Sequence, residues 1–261
     1  MNSSVKLKGK QIISGSTARA SVMLVSWVCV SVLFGIIPSL PRYSPDSPLS
    51  PFLKLGADVL ILFVSSLILM SLRLGSEAWF FGRAGGLRVS ALYVFYWFRP
   101  SKAFKCAAFT LSVFFRKLFW FVLFMLPGLS ILGGTAYTVL YRDGMSRALL
   151  CAFVSGGGAA SFIGLIFFFI MIQRYFIADA LKARYPDKKA KAVIRQSVNA
   201  MDGSCLKTFL FKFSFLPWFL LCILIFPALY VWPYYRESCS CLKSRIIYSY
   251  RKRTEKRYTP E

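Results

Sequence analysis

The chain contains no histidine, and only 10 of its 261 residues are Asp or Glu. Without imidazole it lacks the commonest general base and the commonest metal ligand. It has no Ser-His-Asp or Cys-His arrangement, HExxH, P-loop or pair of intramembrane carboxylates, and its Asp, Lys and Tyr residues are not clustered. The expectation is therefore a protein that is not an enzyme and holds no cofactor. Cysteine is present, but Cys239-Ser240-Cys241 contains its only close pair. A zinc site needs further His or Cys ligands at matching spacing, so none is expected. The other cysteines mostly lie in or beside apolar blocks, where Cys acts as a small hydrophobe.

The shortage of acids contrasts with 33 Lys and Arg and a net charge of +23. Such a balance can mark a nucleic-acid binder. Here the cations flank apolar segments instead of covering a polar domain, so membrane topology accounts for them and no nucleic-acid partner is expected. Apolar residues make up 57% of the chain, against roughly 45–50% in soluble domains. They sit in long blocks, which reads as membrane.

Spans of about 20 apolar residues can be placed along the chain. Residues 1–19 are polar and basic. The apolar run Ala20–Leu40 is too long for a signal-peptide core and lacks an Ala-x-Ala site, so it reads as a retained first span. The Pro-rich stretch Pro41–Pro51 is a stiff loop. A second span starts near Leu55, with an apolar core to Leu72 and a helix running toward Phe81 before Gly82, Gly85 and Gly86 stop it. Leu87–Phe98 is apolar but too short to span; it lies at the interface or opens a longer helix. The third span is Leu118–Tyr141, with a kink expected at Pro127-Gly128, and the fourth is Ala148–Ile172. The final block, Phe209–Tyr235, is either one kinked span or two with a reversal near Phe226-Pro227, the last helix then running on toward Ile247.

Charge arbitrates the count. With six spans, segments 1–19, 73–118, 174–212 and 236–261 share one side and hold 4, 8, 9 and 8 Lys or Arg, leaving Arg42, Lys54, Arg142 and Arg147 opposite. Five spans would even out this split, so the positive-inside rule favours six, with both termini in the cytoplasm. The expected fold is an all-α, polytopic transmembrane bundle in the cell membrane. It comprises a basic N-terminus (1–19), the bundle (20–248) with a cytoplasmic amphipathic helix at 187–202, and a basic tail (249–261).

In that amphipathic helix Ala190, Val193, Ile194, Ser197, Val198 and Met201 share one face at 3.6 periodicity. Asp187 is a suitable N-cap and Gly203 a suitable C′ residue. Lys188, Lys189, Lys191 and Arg195 lie opposite. They suit anionic lipid headgroups, at about 1 kcal/mol per charge near the surface, and ordinary positive-inside topology equally well.

Four further polar residues merit a functional reading. Asp58, early in the second span, is either an intramembrane functional acid or a helix-start carboxylate at the interface. Glu77 is four residues after Arg73 at the inner end of that span, and Arg236 and Glu237 can reach a similar depth. These charges suit either a structural ion pair or a transport site. In the fourth span Gly156, Ala160 and Gly164 recur every four residues, which suits close helix packing. The alternative is a hinge or substrate groove.

One string of residues resembles a known family. It runs through Arg174-Tyr175, Tyr185-Pro186-Asp187, Ser197, Met201, Gly203, Phe209, Phe211, Ser214-Phe215, Trp218 and Trp232-Pro233-Tyr234, with Leu118-Phe119-Trp120 and Pro127-Gly128 before it. The pattern is similar to that of the domain of unknown function 975 family of bacterial integral membrane proteins. It covers roughly residues 75–240 and is strongest over 173–235. The chain departs from the pattern at Pro227, where the family has a Gly-rich turn, and in its long basic tail. The resemblance implies a multi-span bundle and no activity. The leading functional reading is a non-enzymatic membrane protein that interacts with anionic lipid or a membrane protein partner; the alternative is a small transporter or permease-like subunit. No repeat relates the two halves, as many transporters would require.

Overall fold

The computed structural model describes residues 2–14, 28, 29, 32, 51–87, 89–141, 146–222 and 225–258. Among them all regular structure is helical. The principal helices are α1 (Asn2–Ser14), α2 (Pro51–Ala84), α3 (Pro100–Tyr141), α4 (Arg147–Met171), α5 (Ala178–Arg184), α6 (Ala190–Met201), α7 (Cys205–Phe213), α8 (Leu216–Leu221) and α9 (Ile225–Tyr258). Two 3₁₀ segments, Ala91–Phe98 and Ile172–Tyr175, join neighbours.

Three stretches are long and apolar enough to cross a membrane: Gly56–Ala84, Pro100–Leu140 and Arg147–Arg184. The pair Ala190–Met201 and Cys205–Leu221, bent by 83°, makes a fourth if it is one broken span. These helices fit an integral membrane protein. The expected first span, Ala20–Leu40, lies outside the described residues apart from positions 28, 29 and 32.

The helices outrun a bilayer. With 42 residues, α3 extends about 63 Å at 1.5 Å per residue, twice a hydrocarbon core of about 30 Å. Burial divides the long helices into a packed end and an exposed end. The core gathers Val5 of α1, Leu74 of α2, Trp97, Phe109 of α3, Ile177, Leu181 of α5, Val193 and Met201 of α6, and Leu242 of α9. Toward the other end Leu60, Leu62, Phe63 and Val64 of α2, Phe119 and Leu126 of α3, and Phe162 and Phe167 of α4 are exposed. An exposed apolar surface of that extent suits lipid.

Local chemistry sets the boundaries. Leu87 N–H donates to Gly82 O and Gly86 adopts φ +82°, so α2 ends in a left-handed turn that glycine permits. The segment after it packs back as a 3₁₀ helix. A Cβ at Gly75 would stand 2.0 Å from Val94 O, so the backbones touch there. α3 is continuous through Pro127. The last apolar block forms three helices, with the reversal between Leu221 and Ile225. The Phe219 ring lies 5.1 Å from Tyr235 and 6.3 Å from Trp232, so α8 runs alongside the start of α9.

Two local expectations change. Asp187 does not cap α6; the cap position is Lys189, and no side chain bonds the helix start. The buried Lys182 ammonium takes the Pro186 and Lys188 carbonyls, each at 2.7 Å, and Asp187 instead faces Lys105 at 3.3 Å. With its carbonyl turned to Lys182, Lys188 is unavailable to the first helical turn. At the far end Gly203 has φ +69° and follows the C-cap Asp202.

The second change concerns α4. A Cβ at Gly164 would stand 2.2 Å from Phe124 O, and one at Gly157 would stand 2.9 Å from Leu132 Cγ, whereas one at Gly156 meets nothing within 4 Å. The seam against α3 is therefore Gly157–Ser161–Gly164, not Gly156–Ala160–Gly164. At 100° per residue, positions seven apart are offset by about 20° and positions eight apart by about 80°.

Candidate functional site

Charged side chains gather where the end of α2 meets α9. Glu77 is buried. Arg236 Nη1 donates to Glu77 Oε1 at 2.6 Å, and Lys243 Nζ donates to Oε2 at 2.5 Å. Arg236 Nη2 also reaches Ser76 Oγ at 3.0 Å. Arg236 and Lys243 are seven residues apart, two helical turns, so one face of α9 presents both cations to one carboxylate. Arg73, four residues before Glu77, turns to Asp179 at 3.0 Å.

Glu237 is fully buried on the adjacent face of α9. Arg83 Nε lies 3.4 Å from its Oε1, and neither carboxylate oxygen receives a hydrogen bond among the described residues. Ser238 beside it faces Gly9 of α1, where a Cβ would stand 2.5 Å from Ser238 Oγ. Arg83 Nη2 donates to Ile12 O at 3.2 Å, and Arg245 Nη1 donates to Ser4 Oγ at 3.3 Å. α1 is thereby held against both α2 and α9.

Next to this cluster lies a cavity of about 1850 Å³. It is bounded by α1, the end of α2, the 3₁₀ segment Ala91–Phe98, α5 and α9. Its lining includes Lys8, Arg83, Arg99, Arg184, Arg245 and Arg251, with no Asp or Glu among the described residues. Phe81, Tyr93, Phe95 and Tyr96 supply an aromatic wall.

The residues singled out from sequence separate. Glu77, Arg236 and Glu237 come together with Lys243 and Arg83. Asp58 does not join them: it sits near the start of α2, roughly 28 Å along the axis from Glu77. Asp58 therefore does not share a cavity with Arg236 and Glu237, the arrangement that would favour a transporter. Lys188, Lys189, Lys191 and Arg195 are all exposed, while Val193, Ile194, Ser197, Ala200 and Met201 on the opposite face of α6 are buried in the core. The apolar stripe of α6 is thus covered by the chain itself. Ser197 Oγ donates to Arg174 O at 2.8 Å and pins that face.

Sequence reading missed Lys243, Arg83, Lys182 and the cavity. The seven-residue spacing from Arg236 carried a signal for Lys243. Nothing local pointed to Lys182, whose partners lie in the following turn. No family model, curated protein or solved structure matches this chain.

Proposed function

We propose that this is a six-span, non-enzymatic protein of the cell membrane, with both termini in the cytoplasm, whose basic face engages anionic lipid headgroups. The observation that carries the reading is the state of α6. Its apolar stripe is docked on the bundle, and Lys188, Lys189, Lys191 and Arg195 face solvent. The helix therefore serves as a rigid basic ledge and does not insert its apolar face into lipid. Each cation near an anionic surface contributes about 1 kcal/mol.

Packing supports the shared side of the termini. α1 lies against α9 and the Arg83 end of α2. The α8–α9 reversal returns the chain to the side it left, whether the hairpin crosses fully or re-enters. Membership of the domain of unknown function 975 family is part of the proposal, on the residues quoted above; it brings architecture and no activity. The alternative of a small transporter lacks the convergence of Asp58 with Glu77, Arg236 and Glu237.

The test reconstitutes the full chain in nanodiscs of phosphatidylglycerol and phosphatidylcholine and measures which lipid is enriched around the protein. Enrichment of phosphatidylglycerol should fall when Lys188, Lys189, Lys191 and Arg195 are changed to Glu, and it should weaken with salt. Equal enrichment of both lipids around the unaltered protein would overturn the lipid reading.

A further inference from the structure

We infer that the cavity between α1, the end of α2, the Ala91–Phe98 segment and α9 is a discrete site for one anionic phospholipid molecule, its phosphate held by Arg99, Arg245 and Arg251 and its chains leaving over Leu87, Leu92 and Phe95. The inference rests on the membrane reading above, but it concerns different residues from the α6 ledge.

Charge is the first argument. Among the described residues six Lys and Arg line the cavity and no carboxylate does. Arg83 is engaged by Glu237 and by Ile12 O. Arg245 reaches only a neutral hydroxyl, Ser4 Oγ at 3.3 Å, and Arg251 Nη2 donates to Tyr185 OH at 2.5 Å. Among the described residues Lys8, Arg99, Arg245 and Arg251 make no ion pair with a carboxylate. Gathering like charges around one hollow is unfavourable unless an anion fills it. Guanidinium groups suit phosphate because their donors are planar and can engage two oxygens.

Polarity is the second argument. One wall is aromatic, through Phe81, Tyr93 and Tyr96, and the lining includes Leu87, Leu92 and Phe95, each a large apolar side chain more than half exposed. A small inorganic anion would leave that surface wet. An amphiphile covers it, with charge and apolar body matched to the two parts of the cavity.

Position is the third. The cavity lies where α2 ends at Ala84 and its Gly85-Gly86 turn begins. Basic pockets between helices on the cytoplasmic side accept anionic headgroups. The volume of about 1850 Å³ also exceeds the roughly 300–1000 Å³ of ordinary small-ligand pockets.

The experiment uses native mass spectrometry of the full chain in detergent, titrated separately with phosphatidylglycerol, with phosphatidylcholine of the same chains, and with inorganic phosphate. The expected result is one saturable phosphatidylglycerol adduct that phosphatidylcholine does not form and millimolar phosphate does not displace. Changing Arg99, Arg245 and Arg251 together to Gln should weaken that adduct at least tenfold. Changing Lys188, Lys189, Lys191 and Arg195 to Glu should leave it intact while reducing the general enrichment in nanodiscs. Displacement by phosphate alone, or an unaltered adduct in the triple variant, would overturn the site. Equal enrichment of both lipids around the unaltered protein, with the adduct retained, would count against the α6 ledge only. As a second measurement, independent of whether the triple variant folds, a phosphatidylglycerol with a photoreactive headgroup should crosslink the unaltered protein within α1, the Ala91–Phe98 segment or α9. Crosslinks confined to α6 or α7 would overturn the assignment.

Discussion

Glu77 on α2 and Arg236 on α9 meet at 2.6 Å although 159 residues separate them in the chain. Lys243 closes on the other carboxylate oxygen, so one buried acid pairs with two cations. Removing one member of a buried pair leaves an uncompensated charge, which typically costs about 3–5 kcal/mol. Glu77→Gln is therefore expected to lower the melting temperature of the detergent-solubilised protein sharply. Combining Glu77→Gln with Lys243→Met should recover part of the loss, because one buried cation is then removed as well. A Glu77→Gln protein as stable as the original would show that the cluster is not a tie between α2 and α9.

The contact between α3 and α4 depends on glycines that face the partner helix. A Cβ at Gly164 would press on Phe124 O, and one at Gly128 would stand 2.2 Å from Ser161 Oγ. Gly164→Leu and Gly128→Leu are expected to destabilise by about 1–3 kcal/mol or more through overpacking. Gly156→Leu, which points into open space, should change stability by less than about 0.5 kcal/mol. Thermal unfolding in one detergent distinguishes the sites. A large loss at Gly156 alone would reverse the assigned face.

Sidedness is testable apart from lipid binding. A reporter active only outside the cytoplasm should be silent when fused after Glu261 and active when inserted within residues 142–145. Activity at the tail would require an odd number of crossings and would contradict the docking of α1 on α9.

Some properties of the molecule were legible in the linear order of residues. Apolar blocks long enough to span, the one-sided placement of Lys and Arg, the stop at Gly85-Gly86 and the buried stripe of α6 all depend on composition or on a 3.6-residue period. These are local quantities that a sequence carries directly. Other properties depended on how helices meet. Which of Gly156 and Gly157 faces α3 follows from helix azimuth, and a difference of one residue turns a side chain by 100°. Asp187 was a sound cap by type, but Lys182 took the carbonyls around it. The pair between Glu77 and Arg236 was open to sequence reading, but Lys243 as its second partner was missed, and the basic cavity exists only because α1 and α9 come to the end of α2. Long-range approach decides these because a buried charge or an open backbone group takes whichever partner the packing brings within about 3 Å.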